Sequence, residues 1–110
     1  ILRAAVADLV PPAIISRRKM GFPVPVGSWL RGGFAPLVDE FVLAPRAPSR
    51  RLFDHAALRR LAAEHASASA NHGDRLWLLI NLEIWQRIFH DGESPDRVMR
   101  VAPLPGMKAA

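Results

Sequence analysis

Asp74-Arg75-Leu76-Trp77-Leu78-Leu79-Ile80-Asn81-Leu82-Glu83-Ile84-Trp85-Gln86-Arg87-Ile88-Phe89-His90 carries the strongest helical signal in the sequence. Asp74 is a good N-cap, and residues 75–90 then read as one helix of roughly 24 Å at about 1.5 Å per residue. Leu76, Trp77, Leu79, Ile80, Leu82, Ile84, Trp85, Ile88 and Phe89 place apolar groups on most of its sides. A helix that apolar belongs in a core. Glu83 invites a catalytic reading there, but an i,i+4 pair with Arg87 or a buried structural salt bridge is the simpler account.

Working back from this helix, Ala66–Gly73 is small and polar and reads as a loop. Before it, Asp54 caps another helix, with Phe53 and Leu58 at the two positions of a hydrophobic staple. Leu58, Leu61, Ala62 and His65 continue its buried stripe. Residues 44–51 hold Pro45, Pro48 and three arginines and read as an exposed connection. Phe34, Leu37, Val38, Phe41 and Val42 fall at i, i+3, i+4, i+7 and i+8, an amphipathic helix with Pro36 in its first turn. A short helix carries Trp29 and Leu30 and ends at Gly32-Gly33. Leu2, Ala5, Val6 and Leu9 share a helical face that Pro11-Pro12 must end. Pro12–Ile15 can form a single turn. Past Asp91, prolines at 95, 103 and 105 interrupt a stretch without periodicity, so residues 91–110 are expected to be a disordered tail. No strand or repeat is found, and the fragment reads as all-α.

Composition sets the outer limits. The 110 residues suffice for one domain, and half of them are hydrophobic, which allows a packed core. With no cysteine, a disulfide framework, a thiolate metal site and a cysteine nucleophile are excluded for these residues. The net charge of +5 comes from thirteen Arg and two Lys against ten Asp and Glu, a balance that suits anionic partners or a solvated Arg-rich surface. No apolar run reaches the roughly 18 residues of a membrane span, and no signal peptide is legible. The sequence opens at Ile1 inside an amphipathic pattern, as expected of a piece of a longer, cytoplasmic protein.

The chemistry-bearing feature is a loop. Between Leu9 and Val38 there is no acidic residue, while Arg17, Arg18, Lys19 and Arg31 give that stretch a charge of +4. Three adjacent bases precede Gly21, which can take backbone conformations closed to other residues. Such a loop can wrap N–H groups and a compact lysine charge around a phosphate or an oxyanion. Read alone, the same cluster also suits a solvated surface.

The order of motifs resembles the end of the synthetase domain of the glutamine-hydrolysing asparagine synthetase (asparagine synthase) family. That family has a helix ending in Leu-Pro, then Arg-x-Lys-x-Gly-Phe-x-x-Pro and Trp-Leu-Arg. Later come Leu-Phe-Asp, Glu-His, Arg-Leu-Trp and Leu-Glu-x-Trp. Here stand Leu9-Val10-Pro11, Arg17-Arg18-Lys19-Met20-Gly21-Phe22-Pro23-Val24-Pro25 and Trp29-Leu30-Arg31. Leu52-Phe53-Asp54, Glu64-His65, Arg75-Leu76-Trp77 and Leu82-Glu83-Ile84-Trp85 follow in the same order. The resemblance covers roughly residues 2–90, and Leu-Val-Pro in place of Leu-Pro is its departure.

The resemblance implies that residues 1–90 are the C-terminal helical part of a larger α/β domain of the ATP-pyrophosphatase (adenine nucleotide alpha-hydrolase-like) type. It implies ATP and Mg²⁺, both bound mainly by upstream chain, adenylation of the aspartate side-chain carboxylate, and attack by ammonia from glutamine with release of AMP and pyrophosphate. A glutaminase domain on the same chain and a homodimer of the full-length protein are compatible with it. Lys19 falls on the motif lysine, a catalytic group expected to neutralise charge on the departing pyrophosphate and the acyl-adenylate. Arg17 falls on the motif arginine, as a loop brace or anion contact, and Gly21 on the glycine that lets the loop turn. Arg18 occupies a variable position and is assigned to solvent. The Ser-Gly-Gly-x-Asp-Ser pyrophosphate loop of the family is absent from these residues, so they are expected to be inactive alone.

Other residues have plainer readings. His55, His65, His72 and His90 show no paired ligand spacing, and His65 is expected to be packed or capping. Trp29, Trp77 and Trp85 are expected to anchor the core, and Arg50-Arg51 and Arg59-Arg60 to face water. Relatives that form β-lactams, cyclise lasso peptides or modify sugars share the lysine loop, but Lys-Met-Gly-Phe-Pro-Val-Pro and Leu-Glu-Ile-Trp favour asparagine synthesis. A small basic helical module that binds nucleic acid is the rival from another class. It is disfavoured because the helices mix Arg with acid and the densest basic cluster lies on a loop. Neither nucleic acid nor membrane is expected as a partner.

Overall fold

The computed structural model describes residues 1–18, 21, 24–47 and 51–100. Among them every regular element is helical, and there is no strand. In chain order these are α1 (Leu2–Ala5), α2 (Pro12–Ile15), α3 (Val26–Arg31), α4 (Ala35–Val38), α5 (His55–Ala66), α6 (Gly73–Trp85) and α7 (Pro95–Arg100). The chain after α4 widens into a π-helical turn, Asp39–Leu43, and α6 does the same over Gln86–His90. No helix among the described residues is long and apolar enough to cross a membrane.

Helix α6 organises the packing. It buries Leu76, Ile80, Glu83 and, in its π-helical continuation, Arg87, which at spacings of four, three and four form one stripe. Against that stripe lie Leu30 of α3, Val38 of α4, Phe41 and Val42 of the first π turn, and Leu58 and Ala62 of α5. Each fully buried aliphatic side chain contributes about 1.5–3 kcal/mol. Leu79, Ile84 and Ile88 flank the stripe and are half-buried, whereas Leu78 of α6 and Phe89 of its π-helical continuation stay at the surface, 69% and 72% exposed. The three tryptophans are likewise not core anchors within this chain, since Trp29 and Trp77 are 42% exposed and Trp85 54%. The reason is angular. At about 100° per residue, Trp77 and Trp85 stand one quarter and one half turn off the buried stripe.

Local rules account for most boundaries. Asp54 caps α5 as expected, its carboxylate accepting from the N–H of Ala56 at 2.7 Å and of Ala57 at 3.2 Å. Asp74 does not cap α6, which begins at Gly73. His72 stands at the cap position without a side-chain cap bond, Asn71 before it accepts from the Gly73 N–H through Oδ1 at 3.2 Å, and Asp74 lies in the first turn, where a negative charge favours the helix. The stretch after Asp91 also differs from expectation over residues 95–100. Gly92 turns the chain at φ 70°, the Ser94 hydroxyl accepts from the Arg97 N–H, and α7 buries Val98 completely. A six-residue helix is too short to show a periodic signature, yet it is enough to bury one valine. Residues 101–110 lie outside the described residues.

The charge inside the core is satisfied. Glu83 is fully buried, and its Oε1 accepts from Arg87 Nε at 2.8 Å, the i,i+4 pair expected from sequence. Arg87 also donates to Glu40 Oε1 at 2.8 Å and to the Glu40 carbonyl at 3.3 Å, and its guanidinium stands 4.9 Å from the Phe41 ring centre. Arg46 pairs with the same Glu40 oxygen from the solvent side. Burial works against the charge on Arg87. The hydrogen bonds from Glu40 and Glu83 outweigh it and hold the guanidinium pKa above its usual value.

Candidate functional site

The described residues on the two sides of the basic loop differ in how they are packed. On the entrance side, α1 and α2 bury no residue. Pro11 and Pro12 open α2, and the Ser16 hydroxyl donates to the Pro12 carbonyl at 2.8 Å, which closes the single turn expected there. Arg17 and Arg18 follow, both exposed. They share an open hollow with Arg3 of α1, floored by Val6, Ile14 and Ile15. Sequence reading missed Arg3, because its fourteen-residue separation from Arg17 carries no local signal. Three arginines lining one open hollow give it a positive charge of the kind that suits phosphate or carboxylate.

Lys19, Met20, Phe22 and Pro23 lie outside the described residues. Gly21 is exposed, and no described atom lies within 4 Å of where a Cβ would stand. Arg31, the remaining base of the acid-free stretch, is exposed in the last turn of α3. The structure thus brings Arg17 and Arg18 together with Arg3.

The exit is tied down. The Val26 N–H donates to the Val24 carbonyl at 2.8 Å, and the N–H groups of Ser28 and Trp29 donate to the Pro25 carbonyl at 3.1 and 3.2 Å. Gly27 then meets the corner between α5 and α6. His65, 1% exposed, stands 3.0 Å from the Gly27 carbonyl through Nε2. This histidine is packed, as its place on the helix predicts. Around it, His72 Nε2 lies 2.7 Å from Glu64 Oε2, and Arg75 Nη1 lies 3.3 Å from His72 Nδ1. Among the described residues no group of His, Cys, Asp or Glu could hold a metal ion. Arg51, Arg59 and Arg60 face water, and Arg50 lies outside the described residues.

Behind the exit opens an apolar cleft of about 230 Å³, walled by Trp29, Leu30, Phe34, Trp77 and Ile80 among others. Its walls offer a place for an apolar side chain and almost nothing for a nucleotide.

The asparagine synthase family model matches residues 1–87, which span both arms of the loop, the His65 corner and α6. The chain belongs to the asparagine synthase family. A putative glutamine-hydrolyzing asparagine synthetase of Mycobacterium bovis is 36% identical over 88 residues, which are 80% of this chain and 13% of that protein. The Mycobacterium tuberculosis protein of the same name aligns with the same figures. Glutamine-hydrolyzing asparagine synthetase 1 of Bacillus subtilis is 26% identical over 88 residues, 80% of this chain and 14% of that protein. The chain therefore spans about one seventh of the length of these relatives. No solved structure matches it. As an asparagine synthase family sequence, the chain places its matched part ahead of α7, so the turn that buries Val98 lies beyond the matched residues.

Proposed function

We propose that this chain is the C-terminal helical end of the synthetase domain of a glutamine-dependent asparagine synthetase, and that it supplies the lysine loop of the active site. The observation that carries this reading is the 88-residue alignment, at 36% identity, with a relative named as a glutamine-hydrolyzing asparagine synthetase. In the proposed reaction ATP activates the aspartate side-chain carboxylate as an acyl-adenylate with loss of pyrophosphate. Ammonia from glutamine then displaces AMP. Lys19 supplies positive charge to the oxygens on which negative charge develops, and Arg17 and Gly21 shape and brace the loop.

The described residues fit the two cofactors differently. The hollow with Arg3, Arg17 and Arg18 has the charge to meet ATP phosphates. The described residues offer no carboxylate cluster for Mg²⁺, which belongs on this reading to upstream chain. In the full-length enzyme, Lys19→Ala should lower amide formation by about 10²–10³-fold, the usual effect of removing one group that stabilises transition-state charge, while glutamine hydrolysis persists. Near-normal synthetase turnover in that variant overturns the proposal.

A further inference from the structure

We propose that the outer row of α6 and its π-helical continuation, Leu78, Leu82, Trp85 and Phe89, is the surface on which the remainder of the synthetase domain packs, within the same polypeptide. The inference rests on the reading of this chain as the C-terminal end of that domain. Its own support is the character of the row and the length of the relatives that lies outside the matched residues.

The four residues stand at spacings of four, three and four, so they share one side of the helix. At about 100° per residue, that side lies half a turn from the buried stripe of α6. Leu82 is half-buried, and Leu78, Trp85 and Phe89 are each more than half exposed. The rings of Trp85 and Phe89 lie 6.1 Å apart between centres and form one ridge. Between Leu78 and Phe89 the only charged residues are Glu83 and Arg87, and both are buried and paired with each other on the inner side. The outer row therefore carries no charge. At about 200 Å² per aromatic side chain, Trp85 and Phe89 alone leave on the order of 250 Å² of apolar surface, before the two leucines are added. Beside the row, the apolar cleft walled by Trp29 and Trp77 offers room for a side chain of the same occupant.

A helix that is apolar on opposite sides belongs between two packed layers. The described residues supply one of them. The 88 aligned residues are 13% or 14% of the relatives, so about six sevenths of such a protein lies elsewhere on its chain. The family match runs to residue 87 and so takes in Leu78, Leu82 and Trp85. Two considerations select the same polypeptide over a separate partner. Surfaces between proteins that are soluble apart are about as polar as the rest of their surface, whereas permanently buried ones lose their charges, as this row has. A segment on the same chain is also held at high effective concentration, so it covers the row without recruiting a second molecule. The occupant is accordingly an apolar layer of the chain that precedes Ile1 in the full-length protein.

Photocrosslinking in the purified full-length protein identifies the occupant. With Phe89 replaced by p-benzoyl-L-phenylalanine, irradiation should join this position to a peptide of the synthetase domain that precedes Ile1. Mixing isotope-labelled with unlabelled protein before irradiation separates links within one chain from links between two. A link to a second chain, a link to a glutaminase domain, or no link at all overturns the proposal. Should that variant misfold, hydroxyl-radical footprinting of the unaltered protein decides. Trp85 and Phe89 should be oxidised at least about tenfold more slowly in the native protein than in urea, and equally so after dilution to the monomer. Weaker protection, or protection lost on dilution, overturns the proposal. Synthetase turnover of Lys19→Ala, measured with ATP, aspartate and ammonium, keeps the two readings apart. If that variant stays active while position 89 links to upstream chain, the reading of the lysine loop has failed and the packing surface stands. If it is inactive and the link is absent, only the packing surface has failed.

Discussion

Replacing Arg87 by alanine isolates the cost of the buried charge network. Arg87 is 3% exposed and donates three hydrogen bonds, one to Glu83 and two to Glu40. Its removal takes the guanidinium from the fully buried Glu83, whereas Glu40 keeps Arg46 and an 18% opening to water. Breaking a buried pair from one side costs about 3–5 kcal/mol. For a domain of about 150–250 residues, where each kcal/mol moves the midpoint by about 2–4 °C, that is a fall of roughly 6–20 °C. Calorimetric melting of the full-length protein reads it directly. Arg87→Lys should fall between the two, since one ammonium cannot span both carboxylates. The double variant Glu83→Leu, Arg87→Met should lose less than Arg87→Ala, because it removes both buried charges and keeps the volume. A melt of Arg87→Ala within about 2 °C of wild type, or a double variant less stable than the single one, refutes the reasoning.

Two further outcomes concern the core and a cap. Leu76→Ala should destabilise the domain by about 2–5 kcal/mol in denaturant titration, because Leu76 is wholly buried at the centre of the α6 stripe; a loss under about 1 kcal/mol would show that the site collapses freely. Asp54→Ala should lower the melting temperature at neutral pH. The N–H groups of Ala57 and Ala56 hold the Asp54 carboxyl below its ordinary 3.8, so its contribution is present above pH 3.8 and is lost as pH falls through the depressed value. The gap between wild type and Asp54→Ala should therefore close in acid, and a pH-independent gap would contradict the capping role.

What the sequence made legible is what short spacing encodes. The stripe of α6, the Asp54 cap and the Glu83–Arg87 pair are all built from steps of four residues or fewer along a helix, where periodicity and capping rules apply directly. The Glu40–Arg87 bonds, the His65–Gly27 bond and the Gly27–Gly73 contact join residues 38 to 47 positions apart. No local rule encodes those, although His65 and Gly73 stood in view. The exposure of Trp77 and Trp85 was hidden for a related reason. An apolar helix shows that it has faces to bury, but it does not show which face this segment covers. Of the site itself, the ordered motifs located the loop, while Arg3 and the clamp on Gly27 emerged only with the fold.

The bond between Gly27 and His65 also closes a ring of 38 positions. Closing a flexible segment of that length costs about 3 kcal/mol in chain entropy, and one hydrogen bond returns only about 1 kcal/mol. The ring cannot close on that bond alone. It waits until α5 and α6 have formed and Leu30 has entered the core beside Leu76 and Ile80. The exit of the loop is accordingly among the last parts of the domain to take its place in folding and among the first to open on warming. Warming therefore parts Gly27 from His65 while most of the helices are still intact.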